Sequence, residues 1–580
     1  MKATQRFFKF LELDRKDISY IYVYAILSGL ITLSLPLGIQ AMINLMVGGE
    51  ISSSLFLLIG IVTLGVAFTG FLTVMQLTVT ETIQRRIFSR SAFEFAWRIP
   101  RLKLENISEI YPPELINRFF DTVTLQKGIP KILIDFSTAV LQIVFGLILL
   151  SLYHPFFVFF GIILIISLII IFRFSGRSGL QTSLMESNYK YKVAHWLEEL
   201  GRAMNVFKLS VPSNLPIQRT DDLVCNYLDA RKSHFKILML QYGSVVLFKT
   251  LITAALLILG SILVIRNQIS IGQFVAAEII VILILNSAEK LILSMENIYN
   301  VLTALEKIGF VTDLPLEDSE GIKLQEIETD NNDIEIQLDN VSFQFNDSNK
   351  KTLNDISLRI SQGEKILLSG YNGSGKSTLI KILGGLLTNY EGTISFNGIN
   401  LRSLDLNSVR KEIGILSSKD EIFSSSILEN LTFGNVDIPF SAIIKVTKEI
   451  GLHEYINDLP EGYSTQLLAD GLNIPQSIIS KMILARTLIR NPRILILDNF
   501  MPRLEQREKG KIMEYLTDSK KPWTVIILSY NGDYATKCDR VIILDKGEII
   551  EDAHYQNLKS KNTIENIFRV TPQGLIDKPC

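Results

Sequence analysis

"KILLSGYNGSGKSTLIKIL", residues 365–383, decides how the chain is read. The apolar run Ile366–Leu368 has the look of a buried strand. After Ser377, apolar residues recur at helical spacing. Between them, Gly370, Gly375, Lys376 and Ser377 satisfy G-x-x-x-x-G-K-[ST] in the context that motif requires, strand before and helix after. Glycines let the loop turn its backbone N–H groups onto a phosphate, and a helix N-terminus adds the positive end of a dipole. Asn372, Gly373, Ser374 and Thr378 complete the cradle. Lys376 is placed to reach β- and γ-phosphates, and Ser377 to ligate Mg²⁺. Downstream, "ILILD" at 494–498 is a second apolar strand that ends on a carboxylate, Asp498, suited to the same metal ion.

Outward from this loop the pattern is consistent. From Ile334 onward, short β-branched strands alternate with helices, which predicts an α/β domain over 334–570 with a tail at 571–580. Before it, 311–333 is acidic and polar and is expected to be a linker. Upstream the character changes. Apolar residues make up 48% of the 580-residue chain, and the mean hydropathy is positive. Residues 18–49 carry no charged side chain, nor do 51–80 and 136–172. A span needs about 20 apolar residues to cross about 30 Å of hydrocarbon. The first two stretches supply one span each. The third supplies two, turned at "YHP" (153–155). Two more lie near 243–265 and 271–292, which makes six. The fold class expected is an α-helical six-span membrane domain, 18–310, plus an α/β P-loop nucleotide-binding domain.

Basic residues are concentrated in 81–132 and 174–242 and nearly absent from the opposite loops. By the positive-inside rule, both termini and the two long loops face the cytoplasm. Those loops keep a helical rhythm and are expected to be helices continuing past the bilayer, the first broken at "YPPEL" (111–115) and the second at a corresponding point. Residues 1–17 are too charged for a signal peptide. Phe7, Phe8, Phe10, Leu11 and Leu13 would form one side of a short interfacial helix. Lys249 is expected to snorkel toward the cytoplasmic side. Glu278 lies deepest in the apolar region, either as a functional charge or as a hydrogen-bonded glutamate between helices.

The net charge is −1 and no basic block stands out, so nucleic acid is not an expected partner. Three cysteines, Cys225, Cys538 and Cys580, and five scattered histidines form neither a disulfide framework nor a metal cluster.

With these residues in place, the chain resembles a half-transporter of the ABC exporter type over nearly its whole length. "ELINRFFDT" (114–122), "ISIGQFVAAE" (269–278), "NYEGTISFNGINLRSLDLNSVRKEIGIL" (389–416) and "CDRVIILDKGEIIEDAHYQNL" (538–558) are close to the family's pattern. The resemblance implies ATP and Mg²⁺ as cofactors and a dimer with a second half-transporter, identical or different. It also implies contact with membrane lipids, a multi-pass place in the plasma (inner) membrane, and alternating access. It puts Phe345 of "VSFQF" where an aromatic ring stacks on adenine. It also marks departures. Ser418 stands where the family has a glutamine that senses Mg²⁺ and the attacking water. Ile474-Pro475-Gln476-Ser477-Ile478 replaces LSGGQ. Asn499 replaces the catalytic glutamate, "PRLE" (502–505) replaces SALD, and Tyr530 replaces the switch histidine.

An amide is a poor base, and losing such a base costs about 10²–10⁴ in rate. Proline has no N–H to offer a γ-phosphate. The expectation is an ATP-binding half-transporter with poor or absent hydrolysis. Its cargo is unknown, with a peptide or protein implied by likeness to the toxin- and peptide-secretion branch. The competing expectation is a non-transporting, ATP-binding membrane module that regulates or scaffolds a secretion complex.

Overall fold

The computed structural model describes residues 3–47, 53–107, 112–210, 213–318, 320–326, 334–345, 348–417, 421–498, 504–529, 532–554 and 557. The chain divides into two compact units. One is Met1–Leu102 with Glu109–Pro315; the other is Lys103–Ser108 with Leu316–Cys580.

The first unit is helical: α1 Ala3–Glu12, α2 Arg15–Thr32, α3 Ser34–Val47, α4 Ser53–Arg98, α5 Pro112–Asn117, α6 Asp121–Tyr153, α7 Phe156–Arg202, α8 Met204–Leu209, α9 Leu215–Ile265 and α10 Ile271–Thr312. Among the described residues, six helical stretches are long and apolar enough to span a bilayer. The first is interrupted at Leu33, so that α2 and α3 share one span. Pro36 accounts for the break, since its ring clashes with the carbonyl four residues earlier and it has no N–H to donate. His154 and Pro155 turn α6 into α7, as the sequence predicts. The long helices α4, α7 and α9 run well beyond a bilayer's thickness. Two short 3-10 turns and α5 follow α4; α8 and residues 210–214 separate α7 from α9. Ser270 opens α10 with a capping box, its hydroxyl accepting from Gln273 N while the Gln273 side chain accepts from Ser270 N.

Close helix contact uses small residues. A Cβ on Gly179 of α7 would come within 2.3 Å of the Tyr299 ring on α10. Lys249 has partners on the next helix. Its Nζ donates to Glu289 Oε2 and Asn286 Oδ1 on α10, each at 3.0 Å, so a carboxylate one helix away matches the charge. Glu278 is half-buried on α10 and makes no ion pair or hydrogen bond with the described residues.

The second unit is built on two sheets. Its elements in order are β1 Ile336–Phe343, β2 Leu353–Ile360, β3 Lys365–Gly370, α11 Lys376–Leu383, β4 Glu391–Phe396, β5 Ile399–Asn400, α12 Leu406–Glu412, β6 Ile413–Leu416, α13 Ile427–Thr432, α14 Phe440–Glu449, α15 His453–Asn457, α16 Gln476–Ile489, β7 Ile494–Asp498, α17 Gln506–Thr517, β8 Thr524–Leu528, β9 Arg540–Asp545 and β10 Glu548–Ala553. An antiparallel sheet runs β2-β1-β4-β5, and a second runs β10-β9-β3-β8-β7-β6, parallel except at β10.

The parallel strands are apolar on both faces, as a covered parallel sheet requires. Leu367, Leu495, Leu497, Val525, Ile527, Val541 and Ile543 point into the core beside α16 and α17. Their chain neighbours Ile366, Leu368, Ile494, Ile496, Ile526, Leu528, Ile542 and Leu544 point into the core shared with the antiparallel sheet. Because β3, β7 and β8 run parallel, their C-terminal ends share one edge, where the phosphate loop begins.

Two parts of this unit depart from the sequence expectation. Much of the expected linker is docked. Glu317 takes a bidentate pair from Arg410 of α12 at 2.6 and 2.9 Å, Ile322 bridges to Leu404, and Leu324 is buried. Buried Leu324, whose N–H donates to Ser408 Oγ at 3.0 Å, and the Glu317–Arg410 pair hold it against α12. The unit also takes in Lys103–Ser108. Glu105 accepts from the backbone N–H groups of Thr388 and Asn389, the latter at 2.8 Å, and Lys103 pairs with Asp318 at 2.9 Å.

Cys538 ends the turn before β9 and is buried, which pushes its thiol up to about 12, with Asp539 adding to the rise and Lys365 opposing it. Cys225 is exposed on α9. The thiolate is the reactive form. At pH 7.5 a maleimide should modify Cys225 within minutes and leave Cys538 intact until the domain is unfolded. Peptide mapping by mass spectrometry reads both. Equal rates would mean that this core opens readily in the native protein.

Candidate nucleotide site

The loop between β3 and α11 has the geometry its glycines predict. Gly370 sits at φ 140° with its Cα against the next strand. A Cβ there would lie 2.0 Å from the Leu544 carbonyl oxygen, so no larger residue fits. Gly375 is the N-cap of α11 in the left-handed region, φ 101°, and a Cβ would meet Thr352 O and Leu353 at 2.7 Å. Gly373, φ 83°, has open space around it. Ser374 N donates to Tyr371 O at 3.1 Å, and Gly547 N donates to Ser374 O at 3.1 Å. The loop is thus pinned on one side and open on the other. The first-turn N–H groups of α11 have no acceptor within the helix, the arrangement that receives an anion.

Lys376 is 7% exposed. Its ammonium donates to Gly370 O at 2.7 Å, Tyr371 O at 2.9 Å and Ser374 Oγ at 3.2 Å. An ammonium has three hydrogens, and the loop's own acceptors engage all of them. Burial lowers the Lys376 pKa, and the nearby Asp498 carboxylate opposes that shift. Asp498 closes β7, level with Leu528 of β8. Burial raises its pKa, opposed by the Ser377 hydroxyl that donates to it and by Lys376 and Lys381. A hydroxyl and a carboxylate in contact beside a phosphate-type loop are the oxygen ligands a Mg²⁺ ion takes, with phosphate and water supplying the rest. The residues present fit a Mg-nucleotide. Lys376 would turn from its own carbonyls to the phosphates, and Ser377 and Asp498 would hold the metal.

Phe345, two residues past β1, is half-buried and sits edge-on to Phe343, ring centroids 4.9 Å apart. Its ring packs against the core shared with the antiparallel sheet. Asn372 lies in the same loop. Ser418, Asn499 and Tyr530 fall outside the described residues, as do Pro502 and Arg503 of "PRLE". Beyond them, Leu504 is buried and Glu505 occupies the N-cap position of α17 without a side-chain cap.

The segment Ile474–Ile478 is described. Pro475 is the N-cap of α16 and makes no side-chain cap, and Ile478 is buried. Serine is among the favoured residues at such a position because its oxygen accepts from the first turn. Proline supplies neither that oxygen nor an N–H. The sequence does not reveal a further feature of α16. Arg486 donates to Asn430 O at 2.8 Å, Asn430 Oδ1 at 3.1 Å and Glu421 O at 3.0 Å. Asn430, fully buried, binds both Phe423 N and Phe423 O. The helix that begins at Pro475 is therefore tied to the segment that follows Ser418. The signal lies in two motifs, "SILENL" and "ILARTL", whose joined residues Asn430 and Arg486 are 56 positions apart, and only packing joins them.

Comparison with known proteins agrees with this geometry. Residues 18–287 match the ABC transporter transmembrane region and residues 353–501 the ABC transporter domain. The chain is an ABC half-transporter of the exporter type.

The half-transporter is 32% identical over 301 residues to the leukotoxin export ATP-binding protein LtxB of Aggregatibacter actinomycetemcomitans, 52% of this chain and 42% of that protein. It is 29% identical over 367 residues to the alpha-hemolysin translocation ATP-binding protein HlyB of Escherichia coli O157:H7, 63% of this chain and 51% of that one. These matches span about half the length of the curated relatives. Among solved structures, a bacterial Atm1-family ABC exporter with ATP bound superposes with a TM-score of 0.85 at 18% identity, covering 98% of this chain and 99% of that chain. At that identity the likeness concerns the fold. ATP binding follows from membership of the family, as does assembly of ABC exporters as dimers in a membrane.

Proposed function

We propose that this half-transporter binds Mg-ATP, hydrolyses it poorly or not at all, and works with a different half-transporter to move a peptide or protein out across the plasma (inner) membrane, its nucleotide-binding domain in the cytoplasm. One observation carries the reading. The parts that hold a nucleotide are assembled, with Lys376 in its loop and Ser377 on Asp498. The sequence positions that would break the nucleotide carry Ser418, Asn499 and Tyr530. ATP then acts as a glue between two nucleotide-binding domains. Each site in the family pairs one chain's phosphate loop with the other chain's signature, so Pro475 would be offered to the partner's ATP. A partner with intact motifs would supply the turnover. A peptide or protein cargo is supported by the relatives whose names concern leukotoxin and hemolysin.

The test is steady-state Mg-ATP hydrolysis by the purified chain in lipid nanodiscs, with Lys376→Ala as background. The expected result is ATP binding with turnover indistinguishable from that background. Turnover well above it would replace this reading with a self-sufficient transporter ATPase.

A further inference from the structure

The N-terminal elbow holds a charged cavity that the ATP chemistry does not use. Helix α1 is anchored on one side, where Phe7, Phe10 and Leu11 pack against Ile18, Ile83 and Ile87. The five apolar residues expected on one side are therefore split, with Phe8 on the other side of α1 69% exposed and Leu13, just past its end, 61% exposed. Between α1 and α2 the chain turns at Leu13–Asp14. A cavity of about 680 Å³ opens there, lined by Glu12, Leu13, Arg15, Lys16, Tyr20 and Arg86 among others.

Charges in this cavity fall into two groups. Asp14 is 5% exposed and takes Arg86 and Arg90 of α4, each at 3.4 Å; Arg86 also binds Asp17. These four groups neutralise one another and pin the elbow to α4. Arg15, Lys16 and Glu12 are different. All three are exposed, and none makes an ion pair or hydrogen bond with the described residues. They leave an excess of one positive charge at the cavity mouth.

Depth places this mouth. The first span, Arg15–Met46, has 32 residues. That is about 48 Å of helix at 1.5 Å per residue, or roughly 45 Å after a tilt of about 20°. A bilayer with its headgroups is about 40–45 Å thick. With Met46 in one headgroup layer, Arg15 lies in the other. Tyr20 and Tyr22, both exposed, fall one to two turns deeper, where interfacial aromatic residues gather.

We propose that the elbow is a binding site for an anionic phospholipid. Its phosphate sits between Arg15 and Lys16, and its acyl chains start along Leu13 and Tyr20. Glu12 disfavours a second negative charge on the outer side of the headgroup, so a singly charged headgroup is preferred to a more highly charged one. The site depends on the chain spanning a bilayer and not on whether ATP is hydrolysed.

Native mass spectrometry of the full chain with equal amounts of phosphatidylglycerol and phosphatidylcholine tests it. A basic residue near a membrane surface contributes enough for two together to favour the anionic lipid by roughly tenfold to thirtyfold. The expected result is such a preference, lost in Arg15→Gln/Lys16→Gln and kept in Arg15→Lys/Lys16→Arg. The conservative pair, with an unchanged melting temperature in both variants, separates loss of the site from loss of fold. Equal retention of phosphatidylglycerol by the glutamine variant would overturn the proposal. So would displacement of the lipid by millimolar inorganic phosphate alone, which would reduce the site to a general anion contact.

Discussion

Lys376→Ala lowers affinity for Mg-ATP by at least tenfold to a hundredfold and leaves the domain folded. Hydrogen bonds to charged groups are worth about 1.5–3 kcal/mol each, and this ammonium is the loop's only formal charge aimed at the phosphates. The fold should survive because the loop's shape rests on Gly370 and Gly375 and on backbone bonds such as Gly547 N to Ser374 O. Two loop carbonyls, Gly370 O and Tyr371 O, lose their donor, and water replaces it on the open side of the loop. Titration with a fluorescent ATP analogue, with and without EDTA, measures the effect. Unchanged affinity would show that the loop no longer serves nucleotide.

Asn499→Glu by itself restores little hydrolysis, less than about tenfold over the unaltered chain. A base is worth about 10²–10⁴ only where the water and the γ-phosphate are already held. On the proposed reading, Tyr530 and Ser418 stand at two more of the positions that hold them, and Pro475, at the N-cap of α16, opens the signature helix without a hydroxyl or an N–H. Effects of residues that act as a unit are far from additive. A chain with Asn499→Glu, Tyr530→His and Pro475→Ser together should therefore gain much more than the sum of the single changes. Steady-state phosphate release in nanodiscs, for the singles and the combination, decides it. A large recovery from Asn499→Glu alone would mean that the other departures matter little.

Much of the architecture is legible from consecutive residues. Charge-free runs mark the spans, and their ends fall close to the turns at His154 and at residues 266–270. The glycine positions in 370–375 state the loop's backbone before any coordinate is known, because only glycine takes φ 140° against a neighbouring carbonyl. Residues 311–326 were harder. Their polar composition hides Leu324, whose burial depends on α12 being within reach. Lys249 was harder for a related reason. Periodicity gives its depth but says nothing of which carboxylate stands on the next helix.

By itself, then, the sequence determined the two kinds of domain, the phosphate loop and the places where this chain parts from its family. Each of these is written in residues a few positions apart, where backbone geometry and hydropathy act locally. The tertiary structure alone decided that Ser377 meets Asp498, that Arg486 clasps Asn430, that Glu105 caps the amides of Thr388 and Asn389, and that Arg15, Lys16 and Glu12 have no partner among the described residues while Asp14 and Asp17 are matched. These contacts join residues far apart along the chain, or depend on a helix such as α4 supplying the partner. They are selected by which surfaces pack, and no local pattern encodes that choice.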